Sequence, residues 1–252
     1  MSNAASMPHA FFRFYGSLND FLPPFRQQLK FSGYIKDRGS IKDAIEALGV
    51  PHPEIDLIVV NGESVSFDYL VQPSDCISVY PAFNSLDIAI TSQVRPVPLS
   101  PMRFVLDVHL GKLATYLRLL GFDVLYRNDY SDDELAQISS QEQRMLLTQD
   151  RGLLKRSIVT YGYAVRSSDP ETQTVEVLQR FGLHRAIAPL QRCPYCNGDL
   201  VQVEKATIVD QIPYYTRVLY DEFSQCQSCH RVYWKGAHYK RIQALIERVT
   251  SS

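Results

Sequence analysis

The chain has no uninterrupted apolar run approaching the roughly 20 residues that cross a bilayer, so a membrane-spanning role is not expected. Its opening residues, MSNAASMPHA, lack both the basic start and the apolar stretch of a signal peptide, and read as a disordered lead-in. There is little excess of either charge: 26 Lys+Arg stand against 27 Asp+Glu, so any electrostatic preference must be local. No internal repeat or low-complexity tract appears. Hydrophobic residues at 45% and charged residues at 21% are ordinary for a globular protein. At 252 residues there is room for one large domain or two to three small ones.

Cysteine is scarce, but four of the five are patterned. Cys193 and Cys196 form one C-x-x-C, Cys226 and Cys229 a second. Two short knuckles joined by a hairpin deliver four thiolates in the tetrahedron that zinc takes. The first pair is followed by Asn197-Gly198 and the second by His230. The spacer exceeds that of a finger, so a two-stranded insert must span it. Thiols that hold zinc must stay reduced, which points to the cytoplasm. Cys76, in the apolar run CISVY, reads as a small core residue.

Local charge does differ. Residues 1–90 hold 6 Lys+Arg and 10 Asp+Glu, and residues 191–252 hold 8 and 6. From Arg231 onward Lys235, Lys240, Arg241 and Arg248 join Arg231 against Glu247 alone. The tail is therefore the better candidate for binding a polyanion, and the first third a poor one.

The pattern divides the chain into four stretches. Residues 8–83 contain strands at FFRFY, Lys30–Tyr34, LIVVNG and CISVYP, and a helix capped by Ser40 with Ile41, Ala44, Ile45 and Leu48 on one stripe. Strand–strand–helix–strand–strand in that length predicts a ubiquitin-like β-grasp fold. Residues 84–101 carry Pro96, Pro98 and Pro101 and read as a linker. Residues 102–190 alternate strands (RFVLD, DVLYR, RMLLTQD, YAVR) with helices (Lys112–Leu120, Asp132–Gln143, a short helix, Thr172–Phe181), which implies a parallel sheet covered on both faces. Residues 191–252 hold the cysteine knuckles and the basic tail.

Asp107 and Asp150 each stand where an apolar strand stops, and carboxyl ends of parallel strands face the crevice where ligands bind. Carboxylates meeting there repel unless a cation lies between them. Asp132, in the first turn of a helix, is a third candidate, with Asp133 or Glu134 as alternatives and Glu142 and Asp169 as weaker ones. Hard oxygen ligands suit Mg²⁺ or Mn²⁺, which activate water for phosphodiester cleavage. The same aspartates could instead cap loops and helices. Lys112, Arg118 and Arg151 lie near the acids in sequence, placed either to position phosphate or to pair with the carboxylates.

Residues 103–125 (RFVLDVHLGKLATYLRLLGFDVL), 131–151 (SDDELAQISSQEQRMLLTQDR) and the stretch FSQCQSCHRVYWKGAHY closely resemble the Mut-seven C-terminal RNase family, a PIN-like nuclease fused to a zinc ribbon. The resemblance runs from about Met102 to the end, and GVPHPEIDLIVVNG with ISVYP resembles the ubiquitin-like domain that precedes it in many members. It implies a PIN-like α/β/α nuclease domain. It further implies that Asp107, Asp132 and Asp150 hold Mg²⁺ or Mn²⁺ for RNA hydrolysis. Lys112 and Arg118 match the basic residues of LGKLATYLR, and Cys193, Cys196, Cys226 and Cys229 match the zinc ligands.

Tyr233, Trp234 and Tyr239 lie among the basic residues of the tail, a mixture that suits single-stranded RNA, with Lys235, Lys240 and Arg241 as phosphate contacts beside Arg151. Trp234 could equally pack on the ribbon, and His109 reads as a loop residue without a role. The β-grasp stretch ends at Ala82-Phe83-Asn84 with no Gly-Gly, which argues against sulfur transfer; docking to a protein or to the ribosome is left open, with no sequence feature that tests it. The expected function is a metal-dependent ribonuclease. The rival is a non-catalytic RNA- or protein-binding adaptor on a PIN-like fold.

Overall fold

The structure is a computed structural model and describes residues 9–35, 39–82 and 92–250; within the last helix, the side chains of residues 237, 238, 240, 241, 249 and 250 lie outside the description. The lead-in expected before His9 and residues 84–91 of the expected linker also lie outside it. In chain order the elements are β1 (His9–Phe14), β2 (Phe31–Tyr34), α1 (Ile41–Ala47), β3 (Ile55–Val60), β4 (Glu63–Ser64), β5 (Cys76–Pro81), β6 (Phe104–Leu106), α2 (Gly111–Leu119), β7 (Val124–Leu125), α3 (Asp132–Gln141), β8 (Met145–Thr148), α4 (Arg151–Leu154), β9 (Gly162–Ala164), α5 (Pro170–Phe181), β10 (Leu200–Val203), α6 (Tyr214–Leu219), β11 (Phe223–Cys226), β12 (Val232–Trp234) and α7 (Ala237–Thr250).

They form two compact units. The first runs to Pro98 and includes Asp150–Ala164; the second comprises Leu99–Gln149 and Val165 onward. In the first, the sheet order is β2-β1-β5-β3-β4, with β1 and β5 parallel and the other pairs antiparallel. This is the β-grasp arrangement. Period-two burial explains it: Ala10, Phe12 and Phe14 of β1 and Ile77 and Val79 of β5 point inward. Ser40 accepts from the Asp43 amide at the start of α1, which buries Ile41 and Ile45. Asn61 and Gly62, at φ +52° and +97°, turn β3 into β4 as an Asn-Gly hairpin requires.

The same alternation corrects the reading of Cys76. It begins β5 on the outer face and is exposed, with Lys30 Nζ 3.2 Å from its sulfur. Proline-rich residues after Ser92 are tied to this unit as well. Gln93 donates to the Ser64 carbonyl at 2.7 Å, and the Tyr161 hydroxyl to that of Val97 at 2.8 Å.

In the second unit β7, β6 and β8 run parallel in that order, with Phe104 opposite both Val124 and Met145. Phe104, Val105, Leu106, Leu146 and Leu147 are fully buried, as a sheet covered on both faces demands. The helices present apolar stripes to it: Leu113, Ala114 and Leu117 of α2 and Val177 and Leu178 of α5 are buried. α3 starts with a full capping box between Ser131 and Glu134.

The expected two-stranded insert is larger than the reading allowed. β10, β11 and β12 make a three-stranded antiparallel sheet, and between β10 and β11 lie a 3-10 segment (Lys205–Gln211) and α6. Ile208 and Ile212 from that segment pack on Phe223, and Val203, Tyr220, Val232 and Trp234 close over them.

Candidate functional site

The thiol centre is built by two matching turns. In the first, the Asn197 amide donates to the Cys193 carbonyl (2.9 Å); in the second, the His230 amide donates to that of Cys226 (3.0 Å). Asn197 and His230 each take positive φ, +68° and +59°. Gly198 is required for contact: a Cβ there would lie 2.5 Å from Ser228 Oγ and 2.9 Å from Cys226 Sγ.

The turns bring Cys193, Cys196, Cys226 and Cys229 together, with all four sulfurs within 4.8 Å of one another. Cys193 and Cys229 are 3.7 Å apart, and Cys196 and Cys226 3.4 Å. A tetrahedron with Zn–S bonds of about 2.3 Å has edges of about 3.8 Å, so the spacing fits zinc. No disulfide joins them. Burial pushes the Cys196 thiol up to about 12. Burial also works upward on Cys226, but the amides of Cys229 and Ser228 outweigh it and bring that thiol down to about 7. The Tyr233 hydroxyl lies 3.0 Å from Cys193 Sγ, placed to donate to a thiolate. These four cysteines could bind zinc, and with the sheet around them they make a zinc-ribbon module.

The first turn is fastened to the parallel-sheet part of the same unit. Asn197 Oδ1 accepts from the Val124 amide (2.9 Å), and its Nδ2 donates to Asp123 (2.8 Å). Arg118, 5% exposed, donates through Nε (3.0 Å) and Nη2 (2.8 Å) to the Val124 carbonyl. Its Nη1 reaches the carbonyls of Pro194 (3.3 Å) and Tyr195 (3.1 Å). Burial draws its pKa below the usual arginine value, and the Cys196 and Cys193 thiols oppose that. The guanidinium expected on phosphate is thus committed to main-chain carbonyls. Arg144, also buried, pairs with Asp123 at 2.8 Å and Glu142 at 2.8 Å. Asn197, Asp123 and Arg144 were not singled out from sequence as a group; the Asn-Gly after the first knuckle was the available signal.

The acids were expected to share a cation. Asp107 follows β6 and is 4% exposed. Its Oδ1 accepts from the His109 amide (2.8 Å), and its Oδ2 from the Thr148 hydroxyl and the Gln149 amide (3.1 Å). The ends of β6 and β8 therefore adjoin, and Asp150 follows two residues after Thr148. Asp150 belongs to the first unit, where its Oδ1 accepts from the Gly152 amide (2.6 Å) at the start of α4. Asp132, Asp133 and Glu134 are exposed in the first turn of α3, with Glu134 occupied in the capping box. Glu142 is taken by Arg144, and Asp169 caps α5 through the Thr172 amide (2.9 Å). The donor chemistry suits a hard cation. Among the described residues, however, the four cysteines form the one group of three or more candidate ligands close enough for a single ion.

The other basic candidates separate in the same way. Lys112 is exposed on α2, and His109 is exposed beside it. Arg151 donates to the carbonyls of Phe21 (3.2 Å) and Asp20 (3.4 Å) within the first unit. Lys235 is exposed and paired with Glu222 at 2.7 Å. The side chains of Lys240 and Arg241 lie outside the described residues. Trp234 is half-buried on the ribbon core. Its other side, with Tyr116, Leu119, Tyr233, Ile242 and Leu245, walls a cleft of about 710 Å³.

A β-grasp domain followed by a parallel-sheet domain with a four-cysteine ribbon defines a fusion of a ubiquitin-like fold, an α/β fold and a zinc-ribbon module. Family models match along the whole arrangement: the Mut7-C RNAse domain over residues 102–246, preceded by Mut7-C ubiquitin over residues 7–87. The chain belongs to the Mut7-C RNase family. That membership supports a nuclease-type function, with RNA as the suggested substrate and protein interaction suggested for the ubiquitin-like domain. No curated protein and no solved structure matches the chain. Among the described residues, no helix is long and apolar enough to cross a membrane.

Proposed function

We propose that this protein is a metal-dependent ribonuclease that hydrolyses RNA phosphodiester bonds. The observation that carries the reading is the RNase-domain match over residues 102–246, which contains Asp107 and Asp150 just beyond β6 and β8. Asp107, Asp150 and Asp132 would hold Mg²⁺ or Mn²⁺, an ion that supplies an activated water and steadies the leaving oxygen. Threonine and main-chain donors fix the Asp107 carboxylate in one orientation. Lys112, exposed on α2, would contact the scissile phosphate. Zinc on the four thiols would fold the ribbon without joining the chemistry. Lys235, Lys240 and Arg241 would track the RNA backbone, and Tyr233, Trp234 and Tyr239 its bases. Thiols without disulfides fit a reducing compartment, so the proposal extends to the cytoplasm.

The test is cleavage of generic single-stranded RNA with Mn²⁺ by wild type, Asp107→Asn and Asp150→Asn. A loss of at least about 100-fold in both variants is expected for a carboxylate that holds the ion. Equal rates in wild type and Asp107→Asn would remove that residue from the mechanism.

The second reading is a non-catalytic RNA- or protein-binding adaptor. It is favoured by the three donors that the chain itself already places on the Asp107 carboxylate, one on Oδ1 and two on Oδ2. Metal-independent RNA binding without cleavage, unchanged in the two variants, would support it.

A further inference from the structure

We propose that the β-grasp unit is a positioning element for Asp150, and that Arg151 acts as a positioning residue rather than a phosphate ligand. The catalytic consequence rests on the nuclease reading above; the anchoring itself does not.

The segment Asp150–Ala164 lies inside the domain-model match for the nuclease, yet it packs as part of the first unit. Three β-grasp elements hold it. From the 3-10 segment Gly16–Phe21, the carbonyls of Asp20 and Phe21 accept from the Arg151 guanidinium, which lies 4.9 Å over the Phe21 ring. At the end of α1, the Glu46 carbonyl accepts from Lys155 Nζ at 2.6 Å. From the turn His52–Glu54, His52 Nε2 meets the Val159 carbonyl at 2.8 Å while its Nδ1 faces Glu46 Oε1 at 2.7 Å. In its protonated form the ring donates to both.

The last contact is the most buried. Glu54, 1% exposed, accepts the Ala164 amide at 2.6 Å. An interior hydrogen bond from a main-chain amide to a side-chain oxygen specifies one docking geometry, because misalignment would leave both groups buried without it. Packing agrees: a Cβ on Gly162 would strike Leu154 Cδ2 at 2.5 Å and approach Pro53 Cβ at 3.4 Å.

These contacts bear on Asp150 through α4. The Asp150 carboxylate accepts from Gly152, so its direction follows the first turn of that helix. α4 has four residues, too few to hold a direction by itself. Arg151 and Lys155, at its two ends, are fixed by the β-grasp carbonyls. The acid is thereby presented by the ubiquitin-like unit, and a guanidinium donating to two carbonyls is occupied.

Hydrogen exchange on the full chain tests the anchoring. Wild type, Arg151→Ala and Lys155→Met are compared at the amides of Gly152, Lys155, Arg156 and Val159. Exchange about ten-fold faster in either variant is expected, with the amides of β6 and β8 unchanged. Unchanged exchange in both variants overturns the proposal. The kinetic arm uses single-stranded RNA with Mn²⁺. A positioning residue gives Arg151→Ala a lower kcat with KM and salt dependence intact. A raised KM, a salt slope shallower by about one and an intact kcat would make Arg151 a phosphate ligand and overturn the proposal. Absence of cleavage by wild type would sink the nuclease reading instead, and the exchange comparison would still decide the anchoring.

Discussion

Arg118 offers the sharpest measurement on the second unit. Arg118→Met keeps the apolar stem and removes the guanidinium. Four contacts of 2.8–3.3 Å to the carbonyls of Val124, Pro194 and Tyr195 disappear. Hydrogen bonds to a charged group contribute about 1.5–3 kcal/mol each, and a buried carbonyl left bare costs about 1–3 kcal/mol. Two of the contacts share the Val124 oxygen and cannot be counted separately. A loss of about 3–5 kcal/mol follows, a large part of a typical domain's 5–15 kcal/mol. Because Pro194 and Tyr195 lie between the first two thiols, the loss should reach the metal. Two assays check this: urea unfolding of the zinc-loaded chain, and the rate at which a chromogenic chelator withdraws zinc. Unfolding should shift to lower urea, and zinc transfer should be at least ten-fold faster, as 1.4 kcal/mol or more at the ribbon would give. Unfolding and zinc transfer both equal to wild type, with RNA binding alone weakened, would refute the clamp and return Arg118 to phosphate.

Elemental analysis should find one zinc per chain, and Cys226→Ser should lower that content and unfold the ribbon, seen as loss of exchange protection in β10–β12. Asp123 should make the unit acid-sensitive. Burial raises its pKa, but hydrogen bonds from Arg144 and Asn197 outweigh this and leave it below the usual carboxylate value. Its contribution is then complete above the unfolded value of about 3.9 and is lost as pH falls through the lower folded value. Asp123→Asn should be less stable at neutral pH and should lack that component of the acid-side decline; parallel curves would refute it. Trp234 is the one tryptophan of the chain and borders the 710 Å³ cleft, so its fluorescence should be quenched saturably by single-stranded RNA and not by ribose 5-phosphate.

How much was legible in the sequence depended on the kind of signal. Period and punctuation located the elements: the Ser40 cap and the stripe of α1 stand where the pattern put them. Boundaries moved by a few residues, as in β7, which shrank to Val124–Leu125 while Asp123 and Asn197 took over its flank. The four cysteines were legible because thiols at that spacing have few other uses. Cys76 was misread because an apolar run does not say which face a residue takes until the register is known.

The basic residues show where sequence stops. Arg118 and Arg151 both lie near acids in sequence, which left two readings for each, phosphate positioning and pairing with the carboxylates. A guanidinium offers the same donors to a phosphate oxygen and to a peptide carbonyl. Which it meets depends on contacts far along the chain: Arg118 finds Pro194 and Tyr195, 76 and 77 positions away, and Arg151 finds Phe21 and Asp20, 130 and 131 away. Proximity in sequence to Asp107 or Asp150 carries no information about those partners. Lys112 has the same local credentials and stays exposed on α2, so it remains the basic residue of that stretch available to a substrate. The difference is helix phase. Arg118 shares the buried stripe with Leu113, Ala114 and Leu117, whereas Lys112 lies on the opposite, exposed side of the helix. Charge on the inward stripe of a helix has to find partners inside the protein, and three carbonyls supply them.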